Sequence, residues 1–201
     1  MRRSRSAWVA VLVAGAALGT ATVAADAAPA ADARSTVRNT AHTTACPTGW
    51  GSRDKTRVAG TTTPVTDVRT GRHACFDRMV VDVPGADAGR LGYFVRYVDR
   101  LHQDGSGRPI AVGGGAVLEV RVAAPAYRPE TGAATYPGRT GRPLPDVDLT
   151  GYRTFRDTRF AGSFEGETQI GLGVRARLPF RVLALDGRVV VDVAHSWSGA
   201  R

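Results

Sequence analysis

Glu165 and Glu167 are the nearest this chain comes to a catalytic pair. Two carboxylates flanking a glycosidic bond can serve as general acid and as base or nucleophile. Two residues apart on a strand, they would share one face. The sequence offers no second wall for a cleft, and a polar turn ahead of a strand over Gln169–Val174 accounts for the same residues. Other catalytic patterns fail on context. Gly162-Ser163-Phe164-Glu165-Gly166 has its serine out of register for a nucleophile elbow, and no helix follows it. Gly171-Leu172-Gly173-Val174-Arg175-Ala176 has the glycines of a dinucleotide fingerprint, but Leu178-Pro179 and another strand follow where that motif needs a helix N-terminus. Those glycines fit close strand approach or a bulge instead. His42, His73, His102 and His195 form no metallopeptidase ligand set. No catalytic, cofactor or metal site is assigned.

Features suited to binding or bracing stand out more. Cys46 and Cys75 are the only cysteines. An even count in an exported chain predicts a disulfide, whereas a metal site using His73 and Cys75 lacks two further ligands. Arg78-Met79-Val80-Val81-Asp82-Val83 matches Arg188-Val189-Val190-Val191-Asp192-Val193 at five of six positions. This predicts two equivalent strands, one in each half of a two-sheet body. Their valines would face inward, and Arg78, Asp82, Arg188 and Asp192 would form outward polar rows able to hydrogen-bond a glycan or peptide, or simply a solvated face. Trp50, near one end of the folded region, is a potential sugar-stacking platform or edge cover, as is Trp197 at the other.

The elements that must carry these residues read as strands. Asp186-Gly187 joins Phe180–Leu185 to Arg188–Ala194 as a two-residue hairpin, which predicts a type I′ turn. Val117–Ala123 alternates cleanly, with Leu118, Val120 and Val122 inward and Glu119 and Arg121 outward. Thr56–Val58, Val65–Val68, Phe76–Val83 and Tyr93–Leu101 are further candidates. No long segment carries apolar residues at helical spacing, so the expected fold class is all-β, a sandwich or barrel. Pro125–Asp146 is rich in proline and glycine and lacks alternation. It reads as a mobile insertion, or as a contact loop presenting Tyr127 and Tyr136.

Ahead of these strands, Arg2, Arg3 and Arg5 precede an apolar run over Ala7–Leu18 and then small residues, with cleavage options near Ala25, Ala27 and Ala30. Residues 1–25 therefore read as a secretory signal peptide, with no membrane span left in the mature chain. Residues 26–45, rich in alanine and threonine, read as a disordered tether. Residues 46–201 remain as one folded domain. Of 201 residues, 27 are basic and 18 acidic, for a net charge of +9. Removing the three leader arginines leaves 24 − 18 = +6. The arginines are scattered among aspartates rather than set in an aromatic-studded stripe, which argues against nucleic acid and for weak attraction to an anionic envelope polymer at most.

Trp50-Gly51-Ser52, His73–Asp82 (HACFDRMVVD), Tyr93–Val98 (YFVRYV) and the closing PFRV…VVVDVAH together resemble the AMIN-like domain of exported actinobacterial proteins. That resemblance implies a single β-sandwich of two mainly antiparallel sheets, here with the Pro/Gly-rich loop inserted. It implies a non-catalytic, secreted protein of the cell envelope, without cofactor, partnered by peptidoglycan or another cell-wall polymer. Many relatives are lipoproteins, and this chain lacks their lipidated cysteine. A secreted protein-binding module or inhibitor acting through residues 125–146 is the alternative, and a small glycan hydrolase using Glu165 or Glu167 a third.

Overall fold

Valine placement sets the two layers of this protein. The computed structural model describes Cys46 and residues 49–197. The leader and tether expected over 1–45 lie outside the described residues. The described residues form eleven strands: β1 (Lys55–Arg57), β2 (Asp67–Arg72), β3 (Phe76–Asp82), β4 (Tyr93–Val98), β5 (Leu101–His102), β6 (Pro109–Ile110), β7 (Ala116–Val122), β8 (Phe155–Phe164), β9 (Glu167–Val174), β10 (Phe180–Leu185) and β11 (Arg188–Ala194). Antiparallel pairing orders them β1-β4-β7-β9-β8 in one sheet and β10-β11-β3-β2 in a second, with β5-β6 as a small separate hairpin. The only helical segment among the described residues is the 3-10 turn Ala88–Arg90. The expected all-β sandwich is what forms.

Leu118, Val120 and Val122 of β7 and Ile170, Leu172 and Val174 of β9 face Met79 and Val81 of β3 and Val189, Val191 and Val193 of β11, all fully buried in one core. Each such side chain contributes on the order of 1.5–3 kcal/mol relative to exposure. The outward residues of the central strands are not solvated as expected. Val80, Val190 and Asp192 of the four-stranded sheet and Glu119 of the five-stranded sheet are all buried.

The turn at Asp186-Gly187 departs from the expected type, and the β8-β9 turn carries the two left-handed residues instead. At Asp186-Gly187 only Gly187 has positive φ, 72°, so the turn is not type I′. The Asp186 carboxylate accepts the Ala88 amide at 2.8 Å, and Gly187 donates to the Ala86 carbonyl at 2.7 Å. The neighbouring 84–90 segment thus holds the turn in another shape. Glu165 (φ 49°) and Gly166 (φ 81°) supply the two left-handed positions between β8 and β9.

β8, the longest strand, has no clean alternation. Register shifts between Phe155 and Asp157 and between Phe160 and Gly162 break its period. The long loop after β7 is anchored rather than a mobile insertion. Ala126, Tyr136 and Leu144 join the main core, Thr135 donates its hydroxyl to the Val65 carbonyl at 2.7 Å, and Gly141 and Arg142 exchange backbone hydrogen bonds with Phe160. The loop therefore covers the open edge of β8, which would otherwise present unpaired amides.

The β5-β6 hairpin lies on the outer face of the five-stranded sheet. Leu101, Ile110 and Ala161 make a second small core there, with Val112 and Val117 against it. The Gly171-Leu172-Gly173 run explains how the hairpin sits so close. A Cβ on Gly171 would come within 2.5 Å of the Leu101 side chain, and one on Gly173 within 1.8 Å of the Gly113 carbonyl oxygen. The expected close strand approach is what these glycines provide.

Candidate functional site

The two matched valine strands are not in separate layers. β3 and β11 are antiparallel neighbours in the four-stranded sheet, with Arg78 opposite Asp192 and Asp82 opposite Arg188. The string R-x-V-V-D is self-complementary. Paired antiparallel with a copy of itself, it sets each arginine across from the other strand's aspartate. Arg78 closes on Asp192 with two hydrogen bonds, at 2.6 and 2.9 Å, and Arg181 of β10 adds a third at 2.8 Å. At the far end Asp82 is taken by Arg69 of β2, at 2.6 and 3.1 Å. Arg188 is exposed. Trp50 lies beside this row: the Arg181 guanidinium sits 4.5 Å from its ring centre and 5.5 Å from that of Phe76, with Arg78 5.2 Å from Phe76 on the same ring system. Arg78, Asp192 and Trp50 are thus brought together as a brace of ion pairs and cation–π contacts. Asp82 and Arg188 are left at the other end.

The expected Cys46–Cys75 disulfide is present, with Cα atoms 5.3 Å apart. It ties the start of the described chain to the residue before β3. His195 is engaged with Asp77. Its Nε2 lies 3.0 Å from that carboxylate, which is fully buried and also accepts the amides of Thr154 at 2.6 Å and Phe155 at 3.1 Å. Asp77 thereby pins the entry of β8 to the ends of β3 and β11. Glu165 is in the β8-β9 turn and Glu167 begins β9, so the two carboxylates do not share a strand face. No group of three or more histidine, cysteine or acidic side chains arranged for a metal occurs among the described residues.

An open groove lies on the opposite side of the sandwich, beside the β5-β6 hairpin. Two adjoining hollows of about 300 and 320 Å³ share Asp104, Gly105 and Arg121. Arg96, Arg100, His102 and Glu119 line the first, and Phe164, Glu165 and Glu167 the second. Glu119 forms the floor. It accepts from Arg96 at 2.9 Å, from Arg121 at 3.1 Å and from Gln169 at 2.7 Å. Burial alone would push its carboxyl up, but these donors outweigh burial and hold it below the usual range. Gln169 is itself buried and holds the hairpin down through the His102 carbonyl at 2.9 Å and the Asp104 amide at 3.1 Å. Desolvation raises the Asp104 carboxyl, against the pull of Arg121, with which it is ion-paired. Phe164 stands at the lip, 49% exposed, with Gly105 facing its ring so closely that a Cβ there would lie 3.5 Å from it.

Sequence reasoning missed this groove because Glu119 and Arg121 read as ordinary outward residues of an alternating strand, and Gln169 only as the start of another. Phe164 next to Glu165 and Gly166 was the available signal. A large aromatic at a tight polar turn has no core to enter.

No curated protein and no solved structure gives a significant match to the chain. The AMIN-like domain family matches residues 63–195, a span that takes in every strand except β1. Domains of this kind are generally binding modules rather than enzymes, with a cell-wall connection. The sandwich, its closing PFRV…VVVDVAH hairpin and that match together place this chain in the AMIN-like domain family.

Proposed function

We propose that this chain is a non-catalytic, exported module that attaches to the cell wall, with peptidoglycan as its polymer. The observation that carries this reading is the AMIN-like match over residues 63–195, which covers almost the whole described body and favours a binding module. The chemistry of the surface agrees with it. Asp77, Asp82, Asp192 and Glu119 are all engaged by hydrogen-bond donors within the fold, which suits a rigid scaffold better than a group that must exchange protons with a substrate. The apolar leader over residues 1–25 and the Cys46–Cys75 disulfide both fit an oxidising, extracellular setting.

Pelleting with purified, insoluble peptidoglycan sacculi tests the reading. The protein should sediment with sacculi at low salt in a saturable manner. Protein left wholly in the supernatant would remove the proposal. Retention that vanishes by 0.3 M salt and recurs on any anionic resin would reduce it to charge attraction from the net +6 (24 − 18) left without the leader arginines.

A further inference from the structure

The groove beside the β5-β6 hairpin has unlike ends. At one end Arg100 is exposed and pairs with no described residue, and Arg96 beside it keeps 41% of its side chain open while bonded to Glu119. At the other end Glu165 is exposed and likewise unpaired among described residues, and Glu167 is 44% open, 3.6 Å from Arg121. Phe164, 49% exposed, lines the same hollow as these glutamates and the shared middle formed by Asp104, Gly105 and Arg121.

We infer that this groove is the ligand site and that it takes a peptide carrying both a free ammonium and a free carboxylate, the chemistry of the wall polymer's peptide part rather than of its sugar chain. This rests on the wall-binding reading above. An ammonium group placed over Phe164 gains a cation–π contact and the two glutamates as counter-charges. A carboxylate at the opposite end meets Arg100, whose planar donors fit it bidentately. A neutral glycan laid along the same floor would bury Arg100 and Glu165 without a counter-charge, which is costly. A phosphate polymer would meet Asp104, Glu165 and Glu167 as like charges. The platform is set before any ligand arrives, because the hairpin tip turns through Gly105, whose φ of 75° favours glycine and whose Cβ position faces the Phe164 ring.

The test uses three probes with the purified protein: a synthetic tripeptide blocked at its N-terminus, N-acetyl-L-alanyl-γ-D-glutamyl-meso-diaminopimelic acid, whose one free ammonium is on the diaminopimelate side chain; the same peptide acetylated there too; and chitotetraose. Binding is followed by titration calorimetry and by backbone amide shifts. The free-amine tripeptide should bind, with amide shifts at Gly105, Phe164 and Glu167. Side-chain acetylation, and separately the Glu165→Gln/Glu167→Gln double variant, should each weaken it at least tenfold, and Arg100→Gln at least fivefold. Each variant is first matched to wild type in melting temperature, since all three side chains are surface groups. Equal affinity for the doubly acetylated peptide, or binding of chitotetraose with the tripeptide silent, would overturn the inference. Intact sacculi separate the two levels. Loss of sacculus retention by wild type sinks the wall-binding reading itself, whereas wild-type retention that the groove variants leave untouched sinks only the assignment of this groove.

Discussion

At one end of the β3–β11 ladder Asp192 is fully buried and takes three hydrogen bonds from Arg78 and Arg181. At the other, Asp82 keeps 18% of its side chain open and takes two from Arg69, while Arg188 across the ladder stays exposed. Both ends descend from the same R-x-V-V-D string, and the register treats them alike. The difference comes from third parties. β10 delivers Arg181 to the Asp192 end, and Trp50 and Phe76 cover the guanidinium groups there. The Asp82 end is covered by nothing comparable among the described residues. A repeated motif thus fixes pairing, while its neighbours decide whether a charge becomes structural or remains surface.

The largest effect expected from that contrast is at Asp192. Replacing it by alanine removes three charge-assisted hydrogen bonds but leaves arginines that are 28% and 33% open to solvent, so the loss is about 1.5–3 kcal/mol rather than that of a wholly buried pair. Urea unfolding of Asp192→Ala should show a loss of that order. A loss under about 1 kcal/mol would mean that the two ends are equivalent after all.

Glu119 extends the comparison to the other sheet, because it too is a buried carboxylate with several donors. Its pKa in the folded protein is held down by Arg96, Gln169 and Arg121 against the upward push of burial. The stabilisation is therefore present above the unfolded value of about 4.3 and is lost as pH falls through the lower folded value. Glu119→Gln should cost about 1–3 kcal/mol at pH 7. Its deficit relative to wild type should shrink in thermal melts as pH drops from 5 toward 2. A deficit that stays constant across that range would show that charge at Glu119 contributes nothing.

How much of this was open to sequence reading follows from periodicity. β10 and β11 lie at the residues their valine alternation and the Asp-Gly turn pointed to, and β7 differs by one residue at each end, because period-2 burial is a local property. The disulfide was legible because only one pairing of two cysteines exists. β8 was not, since its two register shifts erase the period. The layer assignment of the matched strands was also out of reach, because likeness between strands says nothing about whether they face or flank each other. Nor could alternation reveal that Glu119 and Gln169 lie beneath a hairpin supplied by residues 101–110. Burial of an outward residue depends on what folds over it, and that is a long-range fact.

Asp82 tests the open end of the ladder. An ion pair at a surface contributes roughly 0–1 kcal/mol and is screened by salt, and the Arg69 side chain is half exposed. Asp82→Ala should lower stability by no more than about 1 kcal/mol, with most of the difference gone in 0.5 M NaCl. A salt-independent loss of about 1.5–3 kcal/mol would place Asp82 in the same class as Asp192 and erase the contrast.

Arg188 should show the smallest effect. It is exposed, and it has neither an ion pair nor a side-chain hydrogen bond with a described residue. Truncation to alanine should therefore move stability by less than about 0.5 kcal/mol. Its value lies in the second readout. If the ligand groove is on the five-stranded sheet, then Arg188→Ala, which alters only the opposite face, should leave sacculus retention within twofold of wild type at physiological salt. The Glu165→Gln/Glu167→Gln variant should lower it under the same conditions. A larger loss from Arg188→Ala than from the glutamate variant would reverse the assignment. It would make the unpaired end of the ladder the binding face, with Arg188 free because a polymer, rather than Asp82, is its partner.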